Sequence, residues 1–149
     1  MNTDDFKPTT IDITPRDTVF CTCAEHTQEN ILLITLSGTC EPGSTGENYG
    51  RFFYQKIGLA LLKFQPNAVL IDMRNLSYKY GDRIGGVFQV FNEVRIHEDD
   101  VVLAAFVLSN KNVHGIASLL NFNPDNLEPP LFLDIDTAYS YLYTEYDKI

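Results

Sequence analysis

Apolar positions change their period repeatedly along this chain, and each change marks an element. TVFCTCAE (18–25) and NILLITLSG (30–38) are β-rich runs flanking the polar HTQE, a pattern that predicts a hairpin. In the second run Ile31, Leu33 and Thr35 alternate with Leu32, Ile34 and Leu36, so both faces are apolar and the strand belongs in the middle of a covered sheet. TCEPGSTGENYG (39–50) holds three glycines and a proline and reads as a loop. The period then becomes helical: Phe53, Ile57, Ala60, Leu61 and Phe64 share a face in residues 48–64, which end at Gln65-Pro66. NAVLIDMRNL (67–76) returns to a strand, apolar throughout from Ala68 to Ile71.

Alternation of strand and helix continues to the end of the sequence. Residues 82–99 place Ile84, Val87, Phe88, Phe91 and Val94 on one helical face. DVVLAAFVLS (100–109) is a third buried strand, and NKNVHGIASLLNF (110–122) a helix with Asn110 or Asn112 as its cap. PPLFLDI (129–135) is a short strand confined to an edge by its prolines. DIDTAYSYLYTEY (134–146) closes as a helix, with Asp136 the expected cap and Ala138, Tyr141 and Leu142 turned inward. The order β-β-α-β-α-β-α-β-α predicts an α/β fold: four helices layered on a mixed, mainly parallel sheet that opens with a β-hairpin. Residues 1–17, polar with two prolines, are expected to form an N-terminal arm or an added edge strand; 18–149 are expected to be a single domain.

Composition narrows the function more than the fold. With 44% apolar and 21% charged residues in 149, the chain can bury one substantial core without staples. No apolar run reaches the roughly 20 residues that a membrane-spanning helix requires. Residues 1–17 lack a basic start and an apolar stretch, so the cytoplasm is the expected compartment. A net charge of −9 disfavours nucleic acid and anionic membrane surfaces, and suits basic partners. The odd set Cys21, Cys23 and Cys40 argues against a disulfide framework. His26, His97 and His114 are too scattered for a metal site, and neither metal nor cofactor is expected. GTCEPGSTG (38–46) lacks the Lys-Ser/Thr ending of a phosphate-binding loop, and no nucleophile motif is present, so the chain reads as no enzyme. The catalytic alternative is a carboxylate pair, Asp72 with Asp82, acting on a small ligand at the carboxyl edge of the sheet.

Three stretches carry a likeness to a known family. ILLITLSGTC is similar to a second strand and its glycine turn. AVLIDMRNLSYKYGDRIGGVFQVF is similar to a buried strand ending in Asp and, about nine residues on, a D-S-S-G turn opening a helix. VVLAAFVLSNKNVHGIASLLNF with LFLDIDTAYSYL is similar to a closing strand–helix–strand–helix. Together, over roughly residues 18–146, they resemble the STAS domain shared by sulfate transporters and bacterial anti-sigma factor antagonists.

That resemblance implies a protein-binding regulatory module. Antagonists of the family carry a phosphorylatable serine in the D-S-S-G turn; the partner kinase that modifies it is also the anti-sigma factor. Counted from Asp72, the four slots fall on Tyr80, Gly81, Asp82 and Arg83, so Asp82 replaces the serine. Phosphate adds about −1.5 to −2 charge at such a place, whereas an aspartate holds about −1 permanently. Asp82 therefore either caps the helix or fixes the charge of the modified state. The expected partner-binding residues are Asp82, Arg83, Tyr80, Gly85, Gly86 and Ser77; Ser77, Tyr78 and Tyr80 also offer loop hydroxyls. Gly85-Gly86 reads either as a close-packed first turn or as a shallow docking face. Tyr49, Phe52, Phe53 and Tyr54 cover more than one helical face, leaving room for an exposed aromatic patch. The expected partner is a protein, a kinase-like anti-sigma factor on the resemblance, with a homodimer left open. The alternative is a small acidic immunity or inhibitor protein that binds a basic toxin.

Overall fold

Every β-rich run of the sequence lies in one sheet. The computed structural model describes residues 1–9, 18–40, 49–80, 83–94 and 102–146. Its strands are β1 (Phe6–Thr9), β2 (Val19–His26), β3 (Ile31–Thr39), β4 (Ala68–Ser77), β5 (Leu103–Val107) and β6 (Leu131–Phe132). Its helices are α1 (Tyr49–Phe64), α2 (Gly86–Glu93), α3 (Val113–Leu120) and α4 (Ile135–Tyr146). The six strands lie side by side in sequence order. β2 and β3 form the antiparallel hairpin, with Cys23 opposite Ile34, and β1 adds to β2 with Phe6 opposite His26. From β3 onward all pairs are parallel.

The period-2 alternation of the strands feeds two separate cores. Leu32, Ile34 and Leu36 of β3 and Val69, Ile71 and Met73 of β4 meet α1, α2 and α3 on one face. Ile31 of β3, Ala68 and Leu70 of β4, and Ala105 and Val107 of β5 meet Ala138 and Leu142 of α4 on the other. Three helices thus cover one face and the fourth covers the opposite one. This is why β4 is apolar at successive positions, as a strand buried on both sides must be.

Several element ends differ from the sequence reading. The helix expected over 82–99 begins with a 3-10 turn at Arg83–Gly85, and Val94 is already extended at φ −87°, ψ 114°, closing α2 after Glu93. Residues 95–101 lie outside the described residues. Asp136 does not cap α4. Asp134 does: its Oδ2 accepts from the Thr137 amide at 2.9 Å and from the Thr137 hydroxyl at 2.7 Å, and these bonds hold its carboxyl below the usual range. Asp136 instead pairs with the amino terminus of Met1. Nor do the α1 aromatics form an exposed patch. Tyr49, Phe52 and Phe53 are buried between sheet and neighbouring helices, and the Tyr54 hydroxyl donates to Glu93 of α2 at 2.6 Å.

Candidate functional site

The carboxyl end of β4 carries the residues singled out by the sequence, and the chain anchors this end heavily. Ser77 is the last residue of β4, opposite Thr39 of β3, and its carbonyl accepts from the Cys40 amide at 2.9 Å. Tyr78 follows with its ring buried and its amide donating to the Lys111 carbonyl at 3.1 Å. On the β5–α3 connection, Ser109 donates its hydroxyl to the Arg74 carbonyl at 2.7 Å.

Asn112 completes the attachment. Only 1% exposed, it donates from Nδ2 to the carbonyls of Met73 at 2.6 Å and Leu76 at 2.8 Å, and its Oδ1 accepts from the Ser109 amide at 3.1 Å. It stands at the N-cap position of α3, as one of the two residues read as its cap, but makes no side-chain capping bond. Its amide serves the sheet instead. Gly115 brings α3 against the same loop: a Cβ there would sit 2.5 Å from the Lys79 carbonyl oxygen. Neither role was read from the sequence. The one available signal was a glycine inside a helical pattern, which costs about 1 kcal/mol against alanine and asks for a packing reason.

Past this anchored segment the chain turns outward. Tyr80 is 62% exposed, more than any other large apolar side chain among the described residues. Gly81 and Asp82, the centre of the sequence reading, lie outside the described residues. Arg83 opens the 3-10 turn, its side chain also outside them, and buried Ile84 pins that turn to the core. The glycine pair then splits. A Cβ on Gly86 would come within 2.2 Å of the Gly50 carbonyl oxygen of α1, so Gly86 is a packing residue. A Cβ on Gly85 would meet nothing within 4 Å, so Gly85 faces open space. Of the expected contact residues, Tyr80 and Gly85 are presented outward, Ser77 is half-buried at the strand end, and Gly86 is committed to the helix pair.

Asp72 is held elsewhere. Its carboxylate takes a two-pronged bond from Arg74, Nε to Oδ1 and Nη2 to Oδ2, both at 2.9 Å, and the Arg74 amide adds a third at 3.1 Å. This pairing, with Asp134 and Asp136 nearby, raises the Arg74 pKa. By strand alternation Asp72 shares the α4 face with Ala68 and Leu70, whereas Ile84 and Val87 pack on the face covered by α1 to α3. Asp72 is thus committed to Arg74 on the α4 face, apart from the Ile84–Val87 segment that follows the other carboxylate of the expected pair.

Neither a protein-family model nor a curated protein sequence matches this chain. Among solved structures it is similar to the crystal structure of an anti-sigma factor antagonist from Mycobacterium paratuberculosis. The two superpose with a TM-score of 0.57 over 88% of this chain and 99% of that one, at 14% sequence identity. The fold is the STAS fold. At this identity the likeness is one of architecture. At the corner the parallel strand β4 ends at Ser77, and the 3-10 turn that leads into α2, a helix of the three-helix face, starts at Arg83. No helix among the described residues is long and apolar enough to cross a membrane.

Proposed function

We propose that this chain is a non-catalytic regulatory module that docks a protein partner through the corner formed by Tyr80, Asp82, Arg83 and Gly85. The observation that carries the reading is the STAS fold shared with an anti-sigma factor antagonist, together with an outward corner mounted on a rigidly anchored strand end. A strand end held by buried hydrogen bonds gives up little conformational entropy on binding, and an exposed tyrosine and an open glycine backbone suit a close protein contact. The partner is an anti-sigma factor of the kinase-like kind, met in the cytoplasm. Asp82 supplies the fixed negative charge of that contact where relatives hold a serine. Residues 18–149 form the working domain, with Phe6–Thr9 paired onto its β2 edge.

The test is co-purification from the native host with wild-type and Asp82→Lys baits, followed by quantification of what each recovers. Reversal of the charge is expected to lower recovery of one specific protein by about tenfold or more, while far-UV circular dichroism and melting temperature stay at wild-type values. Equal recovery by the two baits removes Asp82 from the function.

A further inference from the structure

Beside the docking corner a shallow cleft of about 300 Å³ runs along one flank of α3, between it and the 78–80 loop. Lys79, His114 and Ser118 line it together with Tyr78, Tyr80 and Leu119, and no carboxylate is among its lining residues. Among the described residues this groups a lysine and a histidine in a chain of net charge −9. Neither Lys79 nor His114 forms an ion pair with a carboxylate among the described residues. The geometry is preformed. His114 and Ser118 are one helical turn apart on α3, Gly115 seats that helix against the Lys79 backbone, and Asn112 ties its start to β4.

We infer that this cleft receives an acidic side chain, glutamate or aspartate, of the protein partner. The inference rests on the docking role proposed for the adjoining corner and adds the chemistry of one anchor. Lys79 supplies a mobile ammonium, His114 an imidazole donor and Ser118 a hydroxyl; these are the groups that hold a carboxylate. The rings of Tyr78 and Tyr80 and the Leu119 side chain add apolar surface beside these groups for the stem of the incoming residue. The partner then presents an acidic residue next to the surface that meets Asp82. Opposite signs in adjacent places fix the register of a complex better than one charge does.

The probe is the peptide acetyl-Glu-Tyr-Glu-Glu-amide, titrated into 15N-labelled protein and followed by amide chemical shifts. The matched peptide with glutamine for each glutamate and inorganic phosphate serve as the other arms. The expected result is saturable shifts in residues 78–80 and 114–119 with the acidic peptide and none with its glutamine counterpart. Affinity should fall by about fivefold or more in Lys79→Glu and in His114→Ala, both exposed positions where melting temperature is expected to hold. Absence of shifts at about 10 mM peptide, equal shifts with the glutamine peptide, or unchanged affinity in both variants overturns the inference. So does tighter binding by phosphate than by the peptide, since the cleft is then a site for a free anion. The co-purification with Asp82→Lys reads the docking role independently of Lys79, so failure of the cleft and failure of the corner are separate results.

Discussion

Asn112 shows how much of this site rests on a single side chain. Its amide makes three bonds at 1% exposure, two of them to carbonyls of β4. A buried polar group left unpaired costs about 1–3 kcal/mol. Asn112→Ala is therefore expected to destabilise the fold by about 2–4 kcal/mol, read as a lower midpoint in urea with an unchanged slope. A loss under about 1 kcal/mol would mean that water replaces the amide and that the strand end is not anchored in this way. Cys40 makes a different single-residue statement. Burial at the end of β3 pushes its thiol up to about 12 from the ordinary 9.0. The folded protein thus keeps a proton that the unfolded chain gives up. Stability tied to Cys40 is complete below pH 9.0 and is lost as pH rises toward about 12. Replacing it by alanine should flatten the fall of unfolding free energy over that window, by at most about 1.4 kcal/mol per pH unit. An identical slope in wild type and Cys40→Ala would show the thiol to be solvated.

Among elements, the start of α2 offers a matched pair. Gly85 has helical dihedrals, φ −53° and ψ −26°, and open space where a side chain would stand. Gly85→Ala is expected to raise stability by about 0.4–1 kcal/mol, chiefly by restricting the unfolded chain. Gly86→Ala, one residue on, must push α1 and α2 apart, because the added carbon would lie 2.2 Å from a backbone oxygen. Its expected cost is about 1–3 kcal/mol, and thermal or urea unfolding of the two variants should move in opposite directions. Movement in the same direction would disprove the packing assigned to the pair. The sequence held both readings of these glycines open because nothing local says which one faces α1. The same limit runs through the whole site. Strand and helix order was legible because each element buries a face, and burial imposes a period of two or of about 3.6. The path of Asn112 to β4 was not legible, since its bonds join residues 36 and 39 positions apart. Nor was the choice of Asp134 over Asp136 as the α4 cap, where two equivalent caps stand two residues apart and only the backbone decides. The α1 aromatics misled because a helix between a sheet and a second helix is buried over more than one stripe, a property of the neighbours rather than of the helix.

At the scale of the molecule, the two ends of the chain close the face that α4 covers. Phe6 of β1 is buried and meets the His26 ring edge-on at 5.1 Å, and His26 stacks on Tyr139 of α4 at 6.3 Å. The imidazole itself is fixed by its Nδ1, which accepts from the amides of Gln28 at 3.1 Å and Glu29 at 2.9 Å, so its remaining nitrogen is turned toward Asp5 and the Tyr139 hydroxyl. The amino terminus of Met1 reaches Asp136 of the same helix. β1 also occupies the outer edge of β2, an eight-residue strand that would otherwise show open hydrogen-bonding groups to solvent. An exposed edge of that length invites pairing with another chain. Deleting residues 1–9 is thus expected to leave the β2-to-α4 architecture in place. It should lower the melting temperature by several degrees, since Phe→Ala alone at a buried site costs about 3 kcal/mol or more and a domain of this size loses roughly 2–4 °C per kcal/mol. It should also introduce concentration-dependent association in size-exclusion chromatography. The docking corner lies at the carboxyl ends of the inner strands, away from β1, so partner recovery by the truncated chain should match that of the full chain at temperatures where both are folded. Selective loss of recovery in a folded, monomeric truncation would place the arm inside the interface and move the proposed docking surface to the other edge of the sheet.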